Sequence, residues 1–147
     1  MNKSGVVLRF TRDSGLISRL IRVATRSEWS HVDIVLEDLS FIGAYPGRGV
    51  VNYKEPAEEY QWCLVPVPSE EIANQVRELA KHQVGKSYDW AAVFSLPFRG
   101  DWENKRKWFC SELIAYAFEA AGVPLFRERP FRITARDIYI LPQLIVL

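Results

Sequence analysis

Trp108-Phe109-Cys110-Ser111-Glu112-Leu113-Ile114-Ala115-Tyr116-Ala117-Phe118 is the stretch on which the reading of this chain turns. It reads as a helix running to about Ala121, with Gly122 and Pro124 ending it. Cys110 opens that helix, where a thiol meets partial positive charge and unpaired N–H groups. A helix N-terminus together with a cationic neighbour brings a cysteine pKa from about 8.5 to roughly 3.5–7.5. That is how a thiol becomes a nucleophile at neutral pH. The second cysteine, Cys63, lies in the apolar, strand-like run Gln61-Trp62-Cys63-Leu64-Val65-Pro66-Val67 and reads as a buried, inert thiol.

A nucleophilic thiol needs a base, and a group to orient that base. The chain offers two histidines. His82 sits beside Lys81 on the flank of a helix whose buried stripe is Ile72, Val76, Leu79 and Ala80, and reads as a solvated surface residue. His31 lies in Ser30-His31-Val32-Asp33-Ile34-Val35-Leu36, a β-branched run that reads as a strand. The expected pair is Cys110 with His31. Asp33, two residues on and therefore on the same strand face, is the candidate third member. Glu37, Tyr45 and a backbone carbonyl are the other options.

The remaining elements build outward from these two segments. Val6–Phe10 predicts a strand. Leu16, Ile17, Leu20, Ile21 and Ala24, with Arg19, Arg22 and Arg26 between them, predict a short amphipathic helix. Phe41–Tyr45, Val50–Tyr53 and Trp62–Val67 predict further strands. Ser69 as N-cap with Glu70 and Glu71 behind it starts a strong helix, and Gly85 is its expected stop. Pro97–Lys107 reads as a loop, and the end of the chain as a short tail. This order predicts an α+β fold, an antiparallel sheet packed against helices with the nucleophile at a helix N-terminus. At 147 residues, one domain over 1–147 is expected.

Composition narrows the function. A net charge of +1 argues against nucleic acid as a partner and gives no reason to expect long-range attraction to a membrane. Two scattered cysteines and two histidines lack ligand spacing, so no metal and no cofactor is expected. No run approaches the roughly 18 apolar residues of a membrane span. The apolar run after Met1 is shorter than a signal core of roughly 7–15 residues. The expected setting is cytoplasmic and reducing, unless a phage or a signal-less secretion route delivers the protein.

Gly85-Lys86-Ser87-Tyr88-Asp89-Trp90, then Phe109 to Phe118, then Ala121-Gly122-Val123-Pro124-Leu125, resembles the NlpC-type papain-like cysteine hydrolases. In the usual members a histidine strand follows the cysteine helix. Here no histidine follows Cys110, and the strand around His31 precedes it. That order is similar to the circularly permuted branch, which includes amidase- and peptidase-like proteins and, more distantly, lecithin:retinol acyltransferase-like enzymes. Ile133-Thr134-Ala135-Arg136-Asp137-Ile138 resembles that branch too.

The resemblance implies a papain-like core in which Cys110 is the nucleophile and His31 the general base and acid. It implies a substrate- and oxyanion-side role for Tyr88, with the backbone N–H of Cys110 as a further donor. Trp29, Trp90 and Trp108 adjoin the motif segments and are expected to wall an apolar cleft, with Trp29 and Trp108 as substrate-side residues. Asp89 reads as a cap for a turn over Trp90–Phe94, and Glu112 as a first-turn residue complementing the helix dipole. The 99–107 loop is a candidate lid, and Arg127, Arg129, Arg132 and Arg136 favour an anionic group on the substrate. The branch commonly orients its histidine with a glutamate on the next strand, where this chain has Gly43.

The implied activity is hydrolysis of an amide bond, in a peptide or peptidoglycan-type substrate, through a thioester at Cys110. One alternative is an acyltransferase or lipid hydrolase using the same thioester. Another is a non-catalytic binding module that keeps the cleft, a reading supported by Gly43.

Overall fold

The computed structural model describes residues 4–89, 107–127 and 133–147, with the side chains of residues 107 and 108 outside that set. Six strands form one antiparallel sheet: β1 (Gly5–Arg12), β2 (His31–Val35), β3 (Phe41–Tyr45), β4 (Gly49–Tyr53), β5 (Glu59–Pro66) and β8 (Ile145–Val146), in the order β4-β3-β2-β1-β5-β8. A two-stranded parallel pair joins β6 (Ser87–Tyr88) to β7 (Lys107–Trp108). The helices among the described residues are α1 (Leu16–Thr25), α2 (Glu70–Lys81), α3 (Cys110–Ala120) and α4 (Ala135–Tyr139). The molecule is thus a mixed α+β fold, an antiparallel sheet with a few helices.

Strand alternation sets the layers. Val6, Leu8 and Phe10 of β1, Val32 and Ile34 of β2, and Ile42 and Ala44 of β3 are buried in one cluster. Ala73, Val76 and Ala80 of α2 join it, with Leu113, Ile114, Ala117 and Phe118 of α3. Positions of the other parity include Arg9, His31, Asp33, Gly43 and Tyr53. These meet across the strands through the pairs Arg9↔Asp33 in β1–β2 and Phe41↔Tyr53 in β3–β4.

The helix ends follow local chemistry. Ser69 caps α2 by accepting from the N–H of Ile72 at 3.3 Å. At the end of α3, Val123 N–H bonds to Phe118 O, Gly122 N–H bonds to Glu119 O, and Gly122 takes φ +80°. This is a Schellman stop, and it needs glycine there.

Several expectations change. α2 ends at Lys81 with His82 as C-cap, before Gly85. Gly85 (φ +94°) instead turns the chain against β4, its N–H reaching Val50 O at 2.9 Å. β5 starts at Glu59, because its pairing with β1 extends to Arg12↔Glu59. The expected tail contains α4, opened by a Thr134–Asp137 capping box, and β8, which pairs with Cys63 and Leu64. α1 forms where its period predicts, but of its residues only Ser18 and Ile21 are buried, and its apolar stripe faces out. Ser18 sets this rotation: its Oγ bonds to Ser30 Oγ at 2.7 Å and accepts from the N–H of Asp13 at 3.2 Å. The Trp90–Phe94 turn and most of the 97–107 loop lie outside the described residues.

Candidate active site

His31 opens β2 and Cys110 opens α3, and both are buried. Burial alone would lower the imidazole pKa. The charges of Asp33 and Cys110, and hydrogen bonds to both, outweigh it and hold His31 well above its ordinary value. The imidazole and the thiol, the two partners predicted from the sequence, therefore face each other. The N–H of Cys110, at the first position of α3, is among the four that a helix leaves without an intrahelical acceptor.

Asp33 reaches His31 as strand parity predicts. Its Oδ1 lies 2.6 Å from His31 Nε2. Its Oδ2 accepts from Arg9 Nε at 3.3 Å, Arg9 Nη2 at 3.0 Å and the Tyr53 hydroxyl at 2.8 Å. Beside a guanidinium the carboxyl group is an acceptor, so Nε2 is the donor and the other ring nitrogen is left for the thiol. Burial, and then the charge of Asp33, push the Tyr53 pKa far up, so the phenol keeps its proton and donates it.

Gly43 stands directly across from Asp33 in the β2–β3 pairing. A Cβ there would lie 2.1 Å from Asp33 Oδ1 and 2.9 Å from His31 Nε2. The space a side chain would take on β3 is therefore filled by a carboxylate from β2.

Arg9 and Tyr53 are the residues that sequence reading missed. Arg9 is buried, with its guanidinium carbon 3.4 Å from the Phe41 ring centroid and its Nη1 bonded to Glu55 O at 3.2 Å. A charge inside the apolar run Val6–Phe10 was the only available signal. Tyr45 packs on the imidazole, with ring centroids 4.1 Å apart, and against Tyr53 at 5.0 Å. It supports the face of the ring while Asp33 holds its edge.

Tyr88 is buried. Burial first, then the charges of Cys110, Asp89 and Glu112, raise its pKa, so it stays a phenol beside the thiol. It lines a cavity of about 520 Å³ together with Thr11, Ser18, Ile21, His31 and Tyr45. Trp29 does not wall this cavity. It is buried in the main core, edge-on to Tyr139 at 6.0 Å, because Tyr139 of α4 supplies an aromatic partner there. The side chain of Trp108, like Trp90, Arg129 and Arg132, lies outside the described residues. Arg127 borders a different hollow, with Pro124 and Leu125. Glu37 is exposed in the β2–β3 turn and His82 is exposed at the end of α2, so neither joins the site.

No family model and no curated protein matches the sequence. A solved structure does resemble this one: the metalloprotein YiiX from Escherichia coli O157:H7, also described as DUF1105. The likeness has a TM-score of 0.71 at 17% identity and covers 100% of this chain and 97% of that one. It is a likeness of fold, extending over the whole of the present chain.

Proposed function

We propose that this chain is a cysteine hydrolase with a papain-like, circularly permuted NlpC-type core, cleaving an amide bond through a thioester at Cys110. One observation carries the reading: a thiol at the first position of a helix faces an imidazole that a buried carboxylate holds at 2.6 Å. The thiolate attacks the carbonyl carbon. The oxyanion is stabilised by the N–H of Cys110 and the hydroxyl of Tyr88. Protonated His31 gives its proton to the leaving amine, and the C–N bond breaks to leave a thioester. Neutral His31 then takes a proton from water, which attacks the thioester and releases a carboxylic acid and the thiolate. Asp33 fixes the ring, with Arg9 and Tyr53 fixing Asp33.

The binding-module reading loses its main support, since Asp33 occupies the space that Gly43 leaves. The structural neighbour is called a metalloprotein. Here the donors are committed elsewhere: His31 and Asp33 to each other, and Asp33's second oxygen to Arg9 and Tyr53. Among the described residues no group of three His, Cys, Asp or Glu side chains is arranged to hold a metal ion. We derive no step through a metal.

The test is acyl-enzyme trapping. The full chain is incubated with peptide amides, peptidoglycan-derived peptides and acyl esters, then acid-quenched for mass spectrometry. A hydroxylamine-labile adduct on Cys110 that is absent in Cys110→Ala supports the reading. Turnover that survives in Cys110→Ala overturns it.

A further inference from the structure

The clearest feature outside the catalytic cluster is the outward face of α1. Leu16, Leu20 and Val23, spaced four and three apart, form one stripe and are 82%, 50% and 71% exposed. Ile17, at 41%, widens it. Arg19 and Arg22 lie along its flank and Arg26 follows as the C-cap; Arg19 and Arg26 are exposed, Arg22 is half-buried with its Nη2 on Asp13 O at 3.4 Å, and no carboxylate lies between residues 16 and 26. Single exposed leucines are ordinary, but a continuous stripe on one ten-residue helix is a patch. The usual arrangement of a surface helix is inverted, since it buries only Ser18 and Ile21 and shows its leucines to solvent.

We infer that α1 is an interfacial helix that seats this protein on an anionic lipid surface. The occupant must accept an apolar stripe and the exposed guanidinium groups of Arg19 and Arg26 beside it, and a bilayer of acidic lipids does both. A second copy fits less well. In a two-fold contact the same patch faces itself, which sets arginine against arginine. The charge is also local. The two arginines of α1 and Arg26 at its C-cap together exceed the whole chain's net +1, so the rest of the molecule is net negative and would turn α1 toward an acidic surface. The low overall charge, read above as giving no membrane attraction, conceals this asymmetry. Leu16 and Ile17 also border the cavity beside His31, so a docked α1 brings the cavity mouth to the interface. The inference rests on α1 alone and does not depend on the hydrolase reading.

The test uses the full chain, sedimented with vesicles of phosphatidylcholine alone and of phosphatidylcholine and phosphatidylglycerol in equal parts. The protein is expected to pellet with the mixed vesicles at low ionic strength, and to be released as salt screens the arginines. The double variant Leu20→Asp/Val23→Asp, in which both sites are exposed, is expected to stay in the supernatant. Unchanged circular dichroism and an unchanged rate of Cys110 alkylation would show that it is folded. Arg19→Glu is expected to lower partitioning by about fivefold or more. Two results overturn the inference: wild type that stays with the supernatant of mixed vesicles at low salt, or a wild-type dimer that Leu20→Asp/Val23→Asp converts to monomer.

Discussion

Cys63 and Cys110 are equally buried, at 0% and 1% exposure, and stand in opposite surroundings. Cys63 sits mid-strand in β5, between Leu8 of β1 and Val146 of β8. Burial is the one influence on it, and pushes its pKa up to about 11. Cys110 is packed into the same core cluster but starts a helix, and an imidazole held by a carboxylate faces it. Burial does not by itself make a thiol inert. What decides is whether donors and a countercharge are buried with it, and a strand interior, whose N–H groups are committed to the ladder, has none to spare.

The sharpest way to break this contrast is to exchange the thiols' fates. Cys110→Ala is expected to abolish hydrolysis and alkylation at that site. Cys63→Ala should leave both intact and cost about 1 kcal/mol in urea unfolding. His31→Ala leaves the thiol in place without its partner, and should lower turnover by about 10²–10⁴-fold. Asp33→Asn removes the charge on which Arg9, Tyr53 and His31 converge. It leaves a buried guanidinium short of its counterion, with an expected loss of about 3–5 kcal/mol in urea unfolding.

Gly43→Ala is a smaller intrusion. Its methyl group meets Asp33 Oδ1, so a loss of about 1–3 kcal/mol is expected, together with slower alkylation near pH 6. The smallest effect is in the pH dependence of stability. The folded pKa of His31 is raised, so the stability it contributes is fully present below the unfolded pKa of about 6.5 and is lost as pH rises through the higher folded value. Thermal melts of wild type and His31→Ala should therefore converge as pH is raised.

Much of the site was legible because its rules are local. Two-residue parity places Asp33 with His31, and the Gly122 stop fixes where the Cys110 helix ends. The support of Asp33 was not legible. Arg9 and Tyr53 lie 24 and 20 residues from it in sequence, and only strand pairing brings them together. The period of α1 gave a helix but not its rotation, which depends on Ser18 meeting Ser30 across the fold. β8 is two residues long, too short to carry a pattern, and exists because β5 offers it an edge. Trp29 is also two residues from His31, but it lies ahead of β2, where strand parity does not hold, and it packs in the main core.

The central claim is that His31 and Cys110 form an activated pair. The most direct test is the rate of iodoacetamide alkylation at Cys110 against pH, in wild type and His31→Ala, both carrying Cys63→Ser. The account predicts fast labelling in the wild-type background that persists well below pH 7 and is lost with His31→Ala. Labelling that rises only near pH 8.5, with the same profile in both proteins, would contradict it.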